Sequence, residues 1–290
     1  MENGQFEEVK AEIRERYPDV PWVDVYTNPV WYGRTPSQMS RIDGRYAIIG
    51  NPASDLSNQR VYCIASDQYK IVRPEEALYL FEKSLVGYEE YGKPEITVRS
   101  LLEGAKWTYE ALFPEVVNVG GRDVKPKAGM RNSLDLGWEF SNWFGAYWLI
   151  CSNGAIAGHI AAKTKRKHRL NLDVKELSEK LTEGMAQMSE QFQIWDNWAT
   201  RRIEQSQSED FMERLVSITP AQREKIIALP LMGRGESVAD LLRKNSLNAL
   251  DFHDAVTQYF THEVEHSVAR IEREERFASE FHRAAEKLAA

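Results

Sequence analysis

The feature that most constrains the fold is a change of period at about Asp173. Before it, apolar residues come in short runs broken by turn formers. After it, Val174, Leu177, Leu181, Met185, Met188, Phe192, Trp195 and Trp198 recur every three or four residues, a stripe of about seven turns. Such a stripe is buried only as one face of a helix, so the C-terminal part must form a helical layer against a partner. Thr219-Pro220 with Glu224, and Ser237 with Asp240, supply two further helix starts. From Ser237 onward there is no Gly and no Pro, and Val256, Phe260, Val264, Val268, Ile271, Phe281 and Leu288 keep helical spacing. That pattern predicts one long helix, or two with a joint.

The N-terminal side has a different grammar. Residues 1–40 read as a short polar helix followed by an extended arm, "YPDVPW" and "YTNPVWYGRTPS", that carries Trp22, Trp31 and Tyr32. "RYAIIG", "RVYCIA" and "QYKIV" read as strands. Pro74 with two following Glu opens a helix through Leu78, Phe81 and Leu85 that closes by Gly92. "EITVRSLL", "AKWTYEALF", "DVKPKAGMRNSLD" and the aromatic "WEFSNWFGAYWLICSNG" return to strand character. The expected fold is α+β: an antiparallel sheet core with one packed helix, in the order β-β-α-β-β-β, over residues 41–172, and an all-α region over 173–290.

With 42% hydrophobic residues and 8 Trp, the chain can fill a large core. No run of 18 apolar residues occurs, and the N-terminus is polar and acidic where a secretory leader needs a basic start and an apolar stretch. A cytoplasmic protein without a membrane partner is expected. Cys63 and Cys151 lie in apolar runs without a paired metal motif, so both are expected as buried free thiols, and no cofactor is expected.

"THEVEH" contains His262-Glu263-x-x-His266, the spacing that sets two zinc-binding imidazoles on one helix face. On a continuous helix the two histidines fall about 200° and 240° around from Phe260, away from the apolar stripe. A zinc hydrolase also needs a third ligand, and the extended pattern is broken by Ala269 and Glu272. The polar-face reading is therefore preferred, with a zinc hydrolase at His262 and His266 as the enzymatic alternative.

Charge is unevenly spread. Between Gly121 and Lys175 ten Lys and Arg stand against four acids, a net +6 within a chain of −7, which leaves −13 for the remainder. A basic surface on an acidic body fits local phosphate binding. "KTKRKHR" supplies Lys163, Lys165, Arg166, Lys167 and Arg169, and Lys125, Lys127 and Arg131 precede it. A run of this kind contacts successive phosphates, whereas its plain structural role is a solvated loop. "NSLD" and "CSNG" read as turn chemistry, and "GRGES" at 233–237 as a hinge without the lysine of a phosphate loop.

"SDQYKIVRPEEALYLFE", "LLEGAKWTYEALFP", "NSLD", "YWLICSNG", "KRKH" and "DFHDAVTQYFTH", in that order, resemble the successive blocks of the phage- and plasmid-associated family known as domain of unknown function 932. The resemblance covers residues from about 60 to 285. In that family the stretch ending at His262 is a V-T-x-Y-x-x-H block without a second defining histidine, and no catalytic role is carried over. The mobile-element setting implies DNA transactions, or conflict with host defences, in a bacterial host cell. The order of strands and helices is also similar to that of phage and eukaryotic single-strand annealing proteins, which oligomerise and lay DNA along a basic groove.

The leading expectation is thus a non-enzymatic homo-oligomer that binds single-stranded nucleic acid, with annealing or recombination as its activity. The eight cations above would hold phosphates, and Trp31, Tyr32 or Trp143 would stack bases. The alternative is a protein-interaction module whose acidic surface blocks a host defence protein.

Overall fold

The computed structural model describes residues 3–288 except 34, 36–37, 53–58, 87, 149–161, 187, 233 and 265–267. The period change is the architectural boundary, because every described strand precedes it. Helix α1 (Asn3–Arg16) leads into β1 (Val23–Tyr32), β2 (Ser40–Pro52) and β3 (Arg60–Ser66), which form a three-stranded antiparallel sheet in chain order. Helix α2 (Pro74–Ser84) follows. Then β4 (Glu95–Leu101), β5 (Lys106–Leu112), β6 (Val117–Val119), β7 (Arg122–Ser133), β8 (Phe140–Trp148) and β9 (Ala162–Arg166) build a six-stranded antiparallel sheet. Its order is β4-β5-β7-β8-β9, with β6 as a short hairpin partner of β7. Among the described residues the helices α3 (Val174–Ala186), α4 (Met188–Thr200), α5 (Gln205–Glu213), α6 (Pro220–Ala228), α7 (Val238–Arg243), α8 (Ala249–His262) and α9 (Val268–Lys287) follow.

The α+β class with antiparallel sheets and a helical C-terminal region is as the sequence implied, and three details differ. Three strands in a separate sheet precede α2, because the segment expected as an extended arm supplies β1 and pairs along β2 from Val23 to Tyr32. The stretch "QYKIV" joins neither sheet: its Tyr69 makes one isolated bridge with Arg169, and its backbone is tied to the loop after β9. The stripe from Val174 to Trp198 is divided between α3 and α4.

Side-chain alternation decides how the six-stranded sheet is covered. Trp107, Tyr109 and Ala111 of β5, Ala128 and Met130 of β7, and Phe140 and Phe144 of β8 are buried with Ala77, Leu78 and Phe81 of α2. The Tyr109 hydroxyl donates to the Pro74 carbonyl at 2.9 Å, which seats the first turn of α2. Trp22 stacks on Trp107 at 5.4 Å, and Arg14 of α1 donates to Glu75 of α2 at 2.8 Å and to Asp24 of β1 at 2.9 Å. These contacts bind the first 24 residues to the sheet; truncating a core aromatic such as Phe81 costs about 3–5 kcal/mol.

The helical layer has its own aromatic core. Trp198 meets Phe281 at 4.9 Å, and Phe211 meets both Phe252 at 5.4 Å and Phe281 at 5.6 Å. Thr219 and Ser237 cap their helices as the sequence implied, with Gln222 rather than Glu224 as the partner of Thr219, and Asn248 caps α8 in the same way: each side chain accepts from the backbone N–H three residues on. Arg122 of β7 joins sheet to helices, pairing with Asp251 at 2.6 Å and Asp254 at 2.7 Å, while Arg234 reaches the other oxygen of fully buried Asp251 at 3.0 Å. Among the described residues no helix is long and apolar enough to cross a membrane.

Candidate nucleic-acid interface

The eight cations singled out in the sequence fall into two environments. The register of the six-stranded sheet sets Lys127 opposite Gly145, Gly129 opposite Trp143 and Arg131 opposite Ser141, with Lys163 and Lys165 of β9 opposite Trp143 and Ser141. Directly opposed residues share a face, so Lys127 and Arg131, with Lys125 two residues before Lys127, line the side of the sheet away from α2; the side chains of Lys163 and Lys165 lie outside the described residues. On β5 the same face carries Lys106, Thr108 and Glu110.

That face is closed rather than open at its centre. Lys127 and Arg131 are 4% and 5% exposed. Lys127 pairs with Glu110 at 3.3 Å, and Arg99 reaches the same carboxylate at 2.7 Å. Burial alone pushes the Glu110 carboxyl up, but Lys127 and Arg99 more than reverse this and hold it below the usual carboxylate range. The acidic side of α9 lies over the face: Glu272 accepts from the Trp138 indole at 3.0 Å, and Arg131 has its guanidinium 5.5 Å from the same ring. Glu274 is raised above its ordinary range by burial, against the pull of Arg270, Arg131 and Lys127. A cleft of about 650 Å³ between sheet and α9 has both signs on its walls, Arg131, Arg276 and Arg283 with Glu139, Glu272 and Glu280.

Two expected phosphate ligands, Lys127 and Arg131, are therefore internal partners of a buried charge network. Trp143 is likewise buried, at 2% exposure, and lies over Gly129, where an added Cβ would meet its ring at 2.1 Å. It offers no face to a base. Lys125 is half-exposed on the same strand.

The other environment is the segment that leaves β9, the edge strand of the sheet. Arg166, Lys167 and Arg169 are all exposed, and Arg166 pairs with Glu176 at 3.8 Å. Between them His168 is buried and points the other way: Nδ1 lies 3.1 Å from the Lys70 carbonyl, and the ring stacks on Tyr69 at 5.0 Å and meets the edge of Phe140 at 6.1 Å. Burial lowers its pKa to about 4, so it is a neutral anchor and adds no charge at pH 7. The backbone is pinned as well. Lys70 N–H donates to the His168 carbonyl at 3.2 Å, Leu170 N–H to Gln68 at 3.0 Å, and the Lys70 ammonium to the Leu172 carbonyl at 2.7 Å. The exposed cations thus project from a fixed platform, which limits the ordering cost of binding.

Two clefts flank this platform and share Arg169 and Asn171. One, of about 610 Å³, adds Ser66, Gln68, Tyr69 and His168; the other, of about 450 Å³, adds Arg166, Lys167 and Asp173. Tyr69, Gln68 and Asn171 were not legible as site residues, because nothing local in "QYKIV" reports that it lies against a loop about a hundred positions later.

The remaining candidates are placed as follows. Trp31 and Tyr32 are exposed at the end of β1. His262 is the last residue of α8 and Glu263 its C-cap, so the helix does not carry the motif through to position 266; His266 lies outside the described residues, as does Cys151. Among the described residues no three His, Cys, Asp or Glu converge as a metal site. Cys63 is a half-buried free thiol whose sulfur donates to the Leu134 carbonyl, and burial pushes it up to about 11.

Comparison with known families decides the affiliation. The family described as domain of unknown function, DUF932, matches residues 62–286. The chain belongs to this family. The DUF932 match takes in α2, the whole six-stranded sheet and nearly all of the helical layer, and starts within β3. No curated protein and no solved structure matches the chain significantly.

Proposed function

We propose that this DUF932 protein binds single-stranded nucleic acid along the segment that leaves β9, with Arg166, Lys167 and Arg169 on phosphates. The observation that carries the reading is the pairing of three exposed cations with a pinned backbone, between two clefts that share Arg169 and Asn171. Lys163 and Lys165 precede them on the edge strand, and half-exposed Lys125 belongs to the same sheet. A narrow platform of this size fits one flexible strand, whose phosphates can follow the loop, better than the broad surface of a duplex. Annealing of complementary strands by a homo-oligomer is the activity to which this reading extends.

The test is a titration of a labelled single-stranded oligonucleotide, with a duplex of equal length alongside. The expected result is preferential binding of the single strand, weakened by salt. Absence of binding at low salt would reject the reading and move an interaction with a host defence protein to first place.

A further inference from the structure

The three-stranded sheet carries a ribbon that is exposed among the described residues. Strands β1 and β2 continue past β3, which pairs with β2 from Arg45 to Gly50, so from Val30 to Gly44 the described residues of the hairpin have no third strand. Its free end exposes Trp31 at 52%, Tyr32 at 62%, Met39 at 48% and Ile42 at 37%. Two-stranded ribbons are marginal alone, and large aromatics held in solvent mark a binding surface.

The ribbon rises from the cationic platform. Asp67 N–H donates to the Gly44 carbonyl at 3.1 Å, and the Tyr46 hydroxyl to the Tyr69 carbonyl at 2.6 Å, where Tyr69 bridges Arg169. Arg45 stands opposite Ser66, which lines the cleft of Tyr69 and Arg169, and Arg41 stands opposite Trp31. Arg41 shares the side of Trp31, and between Arg41 and Tyr46 the ladder shifts register, with Gly44 at φ 66°, so the ribbon is bulged there and exposed Arg45 stands at its foot beside the platform. Cations interleaved with flat aromatic faces suit a strand whose phosphates and bases alternate.

We infer that the β1–β2 hairpin is a base-stacking finger: Trp31 beside Arg41, and Tyr32 on the other side of the strand, stack bases of the strand whose backbone lies on Arg166, Lys167 and Arg169, and Arg45 at the foot of the ribbon meets that backbone. This rests on the reading of the platform given above, and one experiment separates them. Oligo(dT) and an equally long abasic strand are titrated against wild type, Trp31→Ala/Tyr32→Ala and Trp31→Phe/Tyr32→Phe.

Wild type is expected to prefer oligo(dT) by about tenfold or more, since stacking is lost only with the base. The alanine pair loses that preference with an unchanged salt slope, and the phenylalanine pair keeps most of it. Urea unfolding confirms that the exposed substitutions leave the fold intact. Equal binding of both strands by wild type overturns the stacking finger while the platform stands; no binding of either rejects both. An alanine pair that still discriminates, or that changes only the mass measured by light scattering, also overturns the proposal and makes the hairpin a contact between copies.

Discussion

Lys127 and Arg131 on β7, and Lys167 and Arg169 beyond β9, look alike in the sequence, yet they sit in opposite worlds. The first two are buried under α9 with Glu110 and Glu274 beside them; the second two stand in solvent on either side of a buried histidine. The difference teaches that a count of charge along a segment does not separate a cation whose partner is inside the fold from one whose partner has yet to arrive. What separates them is the covering layer, and here that layer is a helix more than a hundred residues away in the chain.

The comparison is broken most forcefully at Lys127. Lys127→Ala leaves the buried Glu110 carboxylate to Arg99 alone and empties the space of the lysine stem, so it is expected to cost about 3 kcal/mol in urea unfolding, the low end for a broken buried pair. A surface role for Lys127 would give a change within about 0.5 kcal/mol.

The second break is by acid. His168 titrates at about 4 in the fold, below the usual imidazole value of about 6.5, so the unfolded chain takes the proton first. Its contribution is whole above about pH 6.5 and is lost as pH falls toward 4, by up to about 3 kcal/mol. His168→Phe, which keeps the ring against Tyr69, should flatten the stability profile in that window. An unchanged profile would mean that His168 is not the buried anchor of the platform.

The platform itself is expected to behave in the reverse way to Lys127. Arg166→Ala/Lys167→Ala/Arg169→Ala should change stability by no more than about 0.5 kcal/mol, while single-strand affinity at moderate salt falls about a hundredfold. Loss of folding in this variant, rather than of binding, would put these cations in the structural class.

The smallest effect sharpens the buried side. Glu110 is held low by Lys127 and Arg99, so its stabilisation is present above the ordinary glutamate value of about 4.5 and is lost as pH falls through the depressed folded value. In Lys127→Ala the Glu110 carboxyl moves up, and this last part of the acid loss should shrink. An acid limb identical to wild type would show that Lys127 does not set the Glu110 charge.

Much of the scaffold was legible because its signals are local. Pro74-Glu75-Glu76 fixed the start of α2, Thr219 and Ser237 marked two caps, and the spacing from Val174 to Trp198 gave the helical layer. A joint in the C-terminal helix was allowed by the sequence, but its place after His262 was not marked, since Glu263 and Val264 contain no breaker and the chain simply turns there. "QYKIV" has strand composition, yet Lys70 spends its hydrogen bonds on His168 and Leu172. Trp143 reads as an available aromatic until its neighbour across the strands proves to be Gly129, whose missing side chain makes the space that buries it. Of the candidate site, the run Arg166 to Arg169 was visible and its cleft partners were not, for the same reason: each lies far away in sequence.

The most direct measurement is the salt dependence of single-strand affinity for wild type, Lys127→Ala and the triple loop variant, plotted as log K against log salt. The account predicts parallel lines for wild type and Lys127→Ala, and a slope smaller by about 2 for the loop variant, as three lost phosphate contacts require at about 0.7 each. A loop variant parallel to wild type, or a Lys127→Ala line flattened as much as the loop variant, would contradict the division between buried and exposed cations.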